Sequence, residues 1–446
     1  MSNQSVYRII RELTDIQKNT DLSIAVACRD SDVRNVKALI IGPPETPYEF
    51  GFFDFSVKFP EDYPEKAPSV TAKTTNGGRC RFNPNIYAGG KVCLSILGTW
   101  RGERGEEWSS AQGLESILIS IQSLMSSNPY ENEPGFENAN AEDDKKAQTH
   151  YAAKIRHESL RISIVQRLED YLNIHSDGVV DEFPKLEEYG QVRTEYDDVE
   201  PPPPPFEPFK DLCKRRFLWY YESYLLSVEE AEKTVKANQN FVIMPFEGGG
   251  NTMPGKFNYP ELKRRLELIH TVLFREIDYW AEEGRMQVQK ETTMASMLER
   301  QHQQLVETYK KNDMVTLDID LDNKNPFVWQ LTYFGRPMTN LDGGMFKIQI
   351  SISPRFPDEQ PRVIFKTKMF HHRISKDGVL CYFPKRQDEL KSHIEAIIEA
   401  IEDTEPPYDP RTLVNPEASK LYWGSADDKK LYSRQLRRAV QQSVEE

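Results

Sequence analysis

The sequence predicts an α+β protein of two similar cores, each an antiparallel sheet packed with helices, joined by a helical extension. Three observations predict it. Short strand-like runs at 36–41, 52–59 and 69–73, punctuated by prolines, precede an apolar helical run at 114–125. A looser version of the plan returns at 327–334, 345–353 and 362–366, with two helical segments after it. Residues 82–94, FNPNIYAGGKVCL, align without a gap on residues 370–382, FHHRISKDGVLCY, sharing Phe82/Phe370, Ile86/Ile374, Gly90/Gly378 and Cys93/Cys381. Upstream, Gly51-Phe52-Phe53 faces Gly344-Met345-Phe346, and a Pro-rich turn follows each. The repeat is far too long for a solenoid and reads as a duplicated domain.

The elements follow in order. Residues 1–176 form the first core. Tyr7, Ile10, Leu13 and Ile16 recur at near-helical spacing and open the chain on a helix. Pro43, Pro44, Pro47, Pro60, Pro64 and Pro68 mark turns between strands, because proline fixes φ and removes a ladder donor. The run LESILISIQSLM at 114–125 is apolar on more than one face and reads as a buried helix, and helical pattern returns over 147–174. Residues 177–209 are an acidic linker ending in PPPPPFEP, where consecutive prolines favour a semi-rigid polyproline II spacer. The acidic stretch 181–200 reads as solvated. Residues 210–311 are the helical extension, with EGGGNTMPGK at 247–256 as a flexible break and Gly284 as a point of interruption. Residues 312–446 are the second core.

Composition narrows the function. With 38% hydrophobic residues, 22 Phe and 20 Tyr, the chain has material for real cores. A net charge of −13 repels phosphate backbones and argues against nucleic acid as a partner. No window approaches the ~18 consecutive apolar residues of a membrane span. MSNQSVYRIIREL lacks the features of a secretory signal. Five sparse cysteines fit a reducing compartment, so a cytoplasmic or nuclear location is expected. No CxxC or HxxxH spacing exists, so neither a metal nor a cofactor is expected.

The chemistry centres on Cys93. It follows a strand-turn-Gly sequence, with Gly89 and Gly90 open to backbone conformations closed to other residues, which favours exposure at a loop. Asn85 lies eight residues earlier, across the turn. Its amide suits holding a loop or stabilising an oxyanion. A free thiol is roughly 3% thiolate at pH 7, enough for controllable nucleophilicity. Cys28, Cys80 and Cys213 lack such surroundings and read as small buried hydrophobes.

The run 41–137 resembles the catalytic core of ubiquitin-conjugating enzymes. The family's His-Pro-Asn, turn, Gly, two residues and Cys-Leu appear as Asn83-Pro84-Asn85 and Gly90-Lys91-Val92-Cys93-Leu94. Its Tyr-Glu-Gly-Gly turn appears as Tyr48-Glu49-Phe50-Gly51, its proline loop as Phe59-Pro60-Glu61-Asp62-Tyr63-Pro64, and its Trp-Ser-Pro step as Trp108-Ser109-Ser110. Over 1–290, stretches such as KVCLSILGTW, NPYENEPGFE and FLWYYESYL resemble a large member of the family. That member works with an alternative activating enzyme and carries ubiquitin or a tandem ubiquitin-like modifier. The resemblance implies a four-stranded antiparallel sheet in each core. It implies that Cys93 accepts the modifier as a thioester and that a substrate lysine or a ligase then receives it. A lysine of pKa ~10.4 is about 0.05% neutral at pH 7, an obstacle of about 4.6 kcal/mol that the site lowers by desolvation and nearby polar or acidic groups. Asn85 would support the oxyanion or the loop, and Glu131 would be the acid near the lysine. The implied partners are ubiquitin or a ubiquitin-like modifier, an activating enzyme, a ligase and protein substrates.

Departures from the pattern are informative. Asn83 replaces the usual His in what reads as a structural role. Glu65 and Ser110 alter the two ligase-contact loops, and the loop between Cys93 and Trp108 is long. In the second core His371-His372-Arg373 stands where His-Pro-Asn is expected and no Trp-Ser-Pro follows, although Cys381 remains and Asp409-Pro410 with Asn415-Pro416-Glu417-Ala418 resembles the family's closing segment. Arg373 could donate to an oxyanion, but its charge and length differ from asparagine. The second core is therefore expected to be non-catalytic, with Cys381 its candidate thiol. His371 and His372 carry no further sign of a Cys–His protease. The alternative reading of the whole chain is a non-catalytic ubiquitin-binding adaptor.

Overall fold

The computed structural model describes residues 2–18, 22–102, 105–184, 205–248, 252–312 and 314–445. They divide into two compact units. One comprises Met1–Tyr171 with Leu226–Leu266, the other Leu172–Leu225 with Glu267–Glu446.

In the first unit α1 (Ser2–Lys18) leads into β1 (Ile24–Arg29), β2 (Asp32–Ile41), β3 (Phe52–Lys58) and β4 (Ser69–Ala72), antiparallel neighbours in chain order. The register pairs Ile24 with Ile40, Ile40 with Phe53, and Phe55 with Ala72. Because strand side chains alternate, Val36, Ala38 and Ile40 share one core face with Phe53, Phe55 and Val57. The helix α2 (Leu114–Leu124) adds Leu114, Ile117, Leu118 and Ile121 to that core. It is buried on one side only, since Ile119 is 48% exposed. In α1 the buried stripe is Ile9, Leu13 and Ile16, spaced at i, i+4 and i+7, while Tyr7 and Ile10 point outward. Strand β1 was not among the expected strands; it is a short edge strand whose last residues leave the core. The helix α3 (Glu142–Glu158) continues through a π-helical stretch, Ser159–Gln166, into α4 (Arg167–Leu172).

The extension contains α5 (Lys210–Glu232) and α6 (Tyr259–Gln289), and the division between units falls within both. The expected flexible break between them is tied at its ends. The Asn238 N–H donates to the Phe257 carbonyl (2.8 Å), Phe257 N–H to Gln239 (2.9 Å) and Phe241 N–H to Gly255 (2.9 Å). Met244 and Met253 from this loop join the first core; residues 249–251 lie outside the described residues. Gly284 does not interrupt α6. A Cβ there would stand 2.7 Å from the Phe327 side chain, so its smallness serves packing. The interruption falls later, before α7 (Thr293–Lys310), which Thr292 caps by accepting from the Ala295 N–H.

In the second unit β5 (Leu317–Leu321), β6 (Val328–Phe334), β7 (Met345–Ser351) and β8 (Arg362–Phe365) again form an antiparallel meander. The alternating LDIDL of β5 also escaped expectation, because no proline turn precedes it as Pro361 precedes β8. Helix α7 packs on this sheet through Ala295, Leu298 and Leu305, so the second core opens on a helix as the first does. Three helices follow rather than two: α8 (Leu390–Glu402), α9 (Pro416–Tyr422) and α10 (Ala426–Gln442). Among the described residues no helix is long and apolar enough to cross a membrane.

Candidate active site

Beyond β4 the chain forms a compact turn that delivers Cys93. Gly90, at φ +91°, is placed so that a Cβ would meet the Ala72 carbonyl oxygen at 2.8 Å, and its own carbonyl accepts from the Ala72 N–H (2.8 Å). Only glycine meets both conditions without strain. Isolated bridges Asn83–Ile86, Ile86–Val92 and Thr71–Lys91 fix the rest of the turn. The Cys93 N–H donates to the Asn85 carbonyl (2.8 Å), and the Asn85 side-chain Nδ2 donates back to the Cys93 carbonyl (3.1 Å). Asn85 and Cys93 are thus brought together, with the asparagine amide holding the nucleophile's own backbone.

Asn83 secures this loop from below. Its Oδ1 accepts from the Asn85 N–H (2.9 Å), and its Nδ2 donates to the Leu124 carbonyl (2.8 Å) and the Tyr48 hydroxyl (3.1 Å). After the cysteine the chain turns at once into a 3-10 helix, Ser95–Leu97. The Thr99 hydroxyl donates to Val92 carbonyl (2.6 Å) and accepts from the Leu94 N–H (3.0 Å), gripping both neighbours of Cys93. Cys93 is buried, at 3% exposure, against the expectation of an exposed loop thiol. Gly102 comes back close to the residues after Cys93, where a Cβ would lie 2.5 Å from Ser95, and farther on the Trp108 indole N–H donates to the Pro64 carbonyl (2.9 Å).

Glu131 lies exposed on the short 3-10 turn Pro129–Asn132 and, among the described residues, makes no hydrogen bond to Cys93 or Asn85. Its neighbour Glu133 takes the inward position. Arg81, almost fully buried, donates to Glu133 Oε2 (3.1 Å) and to the Pro84 carbonyl (2.6 Å), and stacks on Tyr87 with 4.4 Å to the ring centroid. Reading by motif passed over Arg81, Glu133 and Thr99. For Arg81 a signal existed: a cation between Cys80 and Phe82 in a buried run must find partners. Nothing in the sequence distinguishes Glu131 from Glu133. Cys80 and Cys213 are buried as expected, and burial pushes the Cys80 thiol well up.

The second core repeats three bonds of this frame. The Cys381 N–H donates to the Arg373 carbonyl (2.9 Å), Arg373 N–H to His371 Nδ1 (3.1 Å) and Phe365 N–H to Gly378 (2.8 Å). Bridges His371–Ile374, Ile374–Leu380 and Ile364–Val379 match the three of the first core. The surroundings differ. Helix α8 begins nine residues after Cys381, whereas α2 begins 21 residues after Cys93. From α5, Trp219 packs edge-on against Phe383 and the Tyr220 hydroxyl donates to the Arg411 carbonyl (3.0 Å), laying that helix against the Cys381 segment. Cys381 is fully buried, and burial pushes its thiol up to about 12 despite Arg216 and Arg373 nearby. Burial and Arg373 hold His372 down at about 3, and burial lowers His371 well below the usual imidazole range, so neither accepts a proton near neutrality. The Arg373 Nε is buried with no hydrogen-bond partner among the described residues. No cluster of metal-ligating side chains is found among the described residues. Native-state alkylation of Cys381 by iodoacetamide at pH 8 should be at least about tenfold slower than in denaturant, because so little thiolate forms. Peptide mass mapping reads this out, and equal rates would contradict a closed thiol.

Comparison with known proteins agrees with this geometry. The profile of the ubiquitin-conjugating enzyme family matches residues 8–159 and again residues 297–439. The chain is 49% identical over 168 residues to ubiquitin-conjugating enzyme E2 Z of Xenopus tropicalis, covering 38% of this chain and 52% of that protein. It is 36% identical over 266 residues to the Homo sapiens E2 Z, covering 60% and 63%. It is 38% identical over 160 residues to the Homo sapiens dual E2 ubiquitin-conjugating enzyme/E3 ubiquitin-protein ligase BIRC6, covering 35% and 3%. The chain therefore spans between about half and just under two thirds of these E2 Z relatives. With the profile matched at both cysteine-bearing frames, the chain belongs to the ubiquitin-conjugating enzyme family and carries its core twice.

Proposed function

We propose that this chain accepts ubiquitin or a ubiquitin-like modifier on Cys93 and passes it to a substrate lysine or to a ligase. The observation that carries the reading is the reciprocal pair between Cys93 and Asn85, which places a neutral amide donor on the nucleophile's backbone. Names among the relatives support ubiquitin conjugation as the pathway.

In the loading step, Cys93 Sγ attacks the thioester carbonyl on an activating enzyme. A new C–S bond forms, the old one breaks, and the Cys93 proton ends on the departing thiol. In the discharge step the lysine nitrogen attacks the same carbonyl. A C–N bond forms, the C–S bond breaks, and the proton lost by nitrogen is balanced by one taken up at the Cys93 sulfur. Nδ2 of Asn85 has a second N–H beyond the one bound to Cys93, and we assign it to the developing oxyanion. Glu131, exposed in water on its turn, attracts the incoming ammonium. A protein with this activity works in the cytoplasm or nucleus. The second core serves binding rather than transfer, because the Cys381 thiol is closed.

The test is to incubate the full chain with ATP, a panel of activating enzymes and a panel of modifiers on non-reducing gels. A thiol-sensitive adduct lost in Cys93→Ala and kept in Cys381→Ala is expected. No adduct with any pair overturns the reading in favour of a non-catalytic adaptor. An adduct that persists in Cys93→Ala and disappears in Cys381→Ala overturns the assignment of the second core.

A further inference from the structure

The loop between α5 and α6 does more than connect helices. It grips the first core at three points. Glu247 meets Lys154 Nζ with both carboxylate oxygens at 2.6 Å, and Lys154 also reaches the Val242 carbonyl (3.1 Å). Phe246 packs among Tyr130, Phe136 and Tyr151, with ring centroids 5.3, 5.7 and 5.4 Å away. Met253 Sδ accepts from the Arg81 N–H at 3.3 Å.

Two of these grips end on the walls of the candidate site. Tyr130 and Phe136 bracket the turn that carries Glu131 and Glu133. Arg81 carries the other wall, since its guanidinium holds the carbonyl of Pro84, the residue before Asn85, and at the same time Glu133 on the facing turn. Both bonds leave one nitrogen, Nη2, and the planar guanidinium that carries it is fixed by stacking 4.4 Å over the Tyr87 ring; a lysine ammonium on a flexible stem has no such stacking to hold it there. Arg81 touches neither Cys93 nor the place of an incoming amine. Its reach is through Asn85 on one side and the 129–136 turn on the other.

We propose that Arg81, anchored by Met253 of the extension, is a positioning residue for discharge: it sets Asn85 against the thioester during attack by the lysine amine. The proposal rests on Cys93 being the thioester carrier. Loading exchanges one thioester for another, with a thiol as both nucleophile and leaving group, so it leans far less on the Asn85 donor, and hence on Arg81, than attack by an amine does. Discharge, in which the C–N bond forms as the C–S bond breaks and charge gathers on the carbonyl oxygen, depends on where the Asn85 amide stands. Displacements of a fraction of an ångström at a hydrogen-bond donor weaken such stabilisation steeply.

The experiment measures two rates for the full chain: loading from activating enzyme, and single-turnover discharge of purified thioester onto saturating free lysine. Arg81→Lys is expected to discharge about tenfold more slowly and to load within twofold of wild type. Made in an Asn85→Ala background, the same substitution should cost less than twofold, because the group it positions is gone. Met253→Leu, which keeps the volume and removes the sulfur acceptor, should slow discharge two- to threefold with loading unchanged, and it stands as the test if Arg81→Lys does not fold. Discharge at the wild-type rate, equal loss in both steps, or full additivity with Asn85→Ala each overturns the proposal. Failure of wild type to load at Cys93 is a separate result that overturns the function itself.

Discussion

Lys154→Met should destabilise the first unit by about 3–5 kcal/mol, the usual cost of stranding one charge of a buried pair. Lys154 is fully buried and the Glu247 carboxylate is 2% exposed, so water cannot replace the lost partner. The Glu247 carboxylate also accepts from the Met244 N–H (2.8 Å), which draws the loop backbone into the same knot. Burial lowers the Lys154 pKa while Glu247 raises it, and burial is the larger effect. The ammonium is therefore held by its partner against a net penalty. A double variant, Lys154→Met with Glu247→Leu, should recover most of the loss, because two apolar side chains fill the volume without a stranded charge. Urea denaturation followed by tryptophan fluorescence and circular dichroism measures both. A single-variant loss below about 1 kcal/mol, the scale of an exposed pair, would show that this pair does not hold the loop.

The second large effect concerns chemistry. Asn85→Ala should leave loading of Cys93 near the wild-type rate and slow discharge onto lysine by about 10²–10³, the effect of removing one oxyanion donor. Asn85→Asp should not rescue discharge. It keeps the size of the side chain but replaces a donor with a carboxylate, which repels a developing oxyanion and cannot donate to the Cys93 carbonyl. Quenched-flow or gel-resolved decay of purified thioester provides the measurement. A loss of threefold or less would remove Asn85 from the transfer step and leave it only the loop contact seen with Cys93.

Much of this architecture was legible in the sequence, and the limits have physical causes. The duplication was legible because Gly90 and Gly378 are demanded by a backbone approach that no Cβ survives, at 2.8 Å from Ala72 and 2.2 Å from Phe365. The cores of the sheets were legible because alternation is strongest in strands paired on both sides. The edge strands β1 and β5 were missed although the shorter edge strands β4 and β8 were found: Pro68 and Pro361 mark the starts of β4 and β8, and no proline turn announces β1 or β5. The loop at 247–256 read as flexible because its glycines speak louder than Glu247 and Met253, whose partners Lys154 and Arg81 lie more than ninety residues away in the chain. Exposure of Cys93 was misjudged because a glycine turn specifies backbone shape and says nothing of how deeply the thiol beside it packs. Around Cys381 the altered motif was visible, but the closure of the thiol by α5 was not.

On the proposed reading, in which the second core does not transfer, that closure makes transfer there hard to gain. In the first core, on the same reading, Cys93 must meet a partner. In the second, Trp219 on α5 lies against Phe383, Tyr220 is tied to Arg411, and Arg216 sits 4.3 Å over the Trp219 ring. These contacts stabilise the domain, so Arg373→Asn would restore a motif but no reactive sulfur. Opening the site requires lifting a helix, exposing its aromatic face to water at a cost no single substitution offsets. Selection can therefore refine the second core as a scaffold or a docking surface, while the route to catalysis is closed by the packing that keeps it folded.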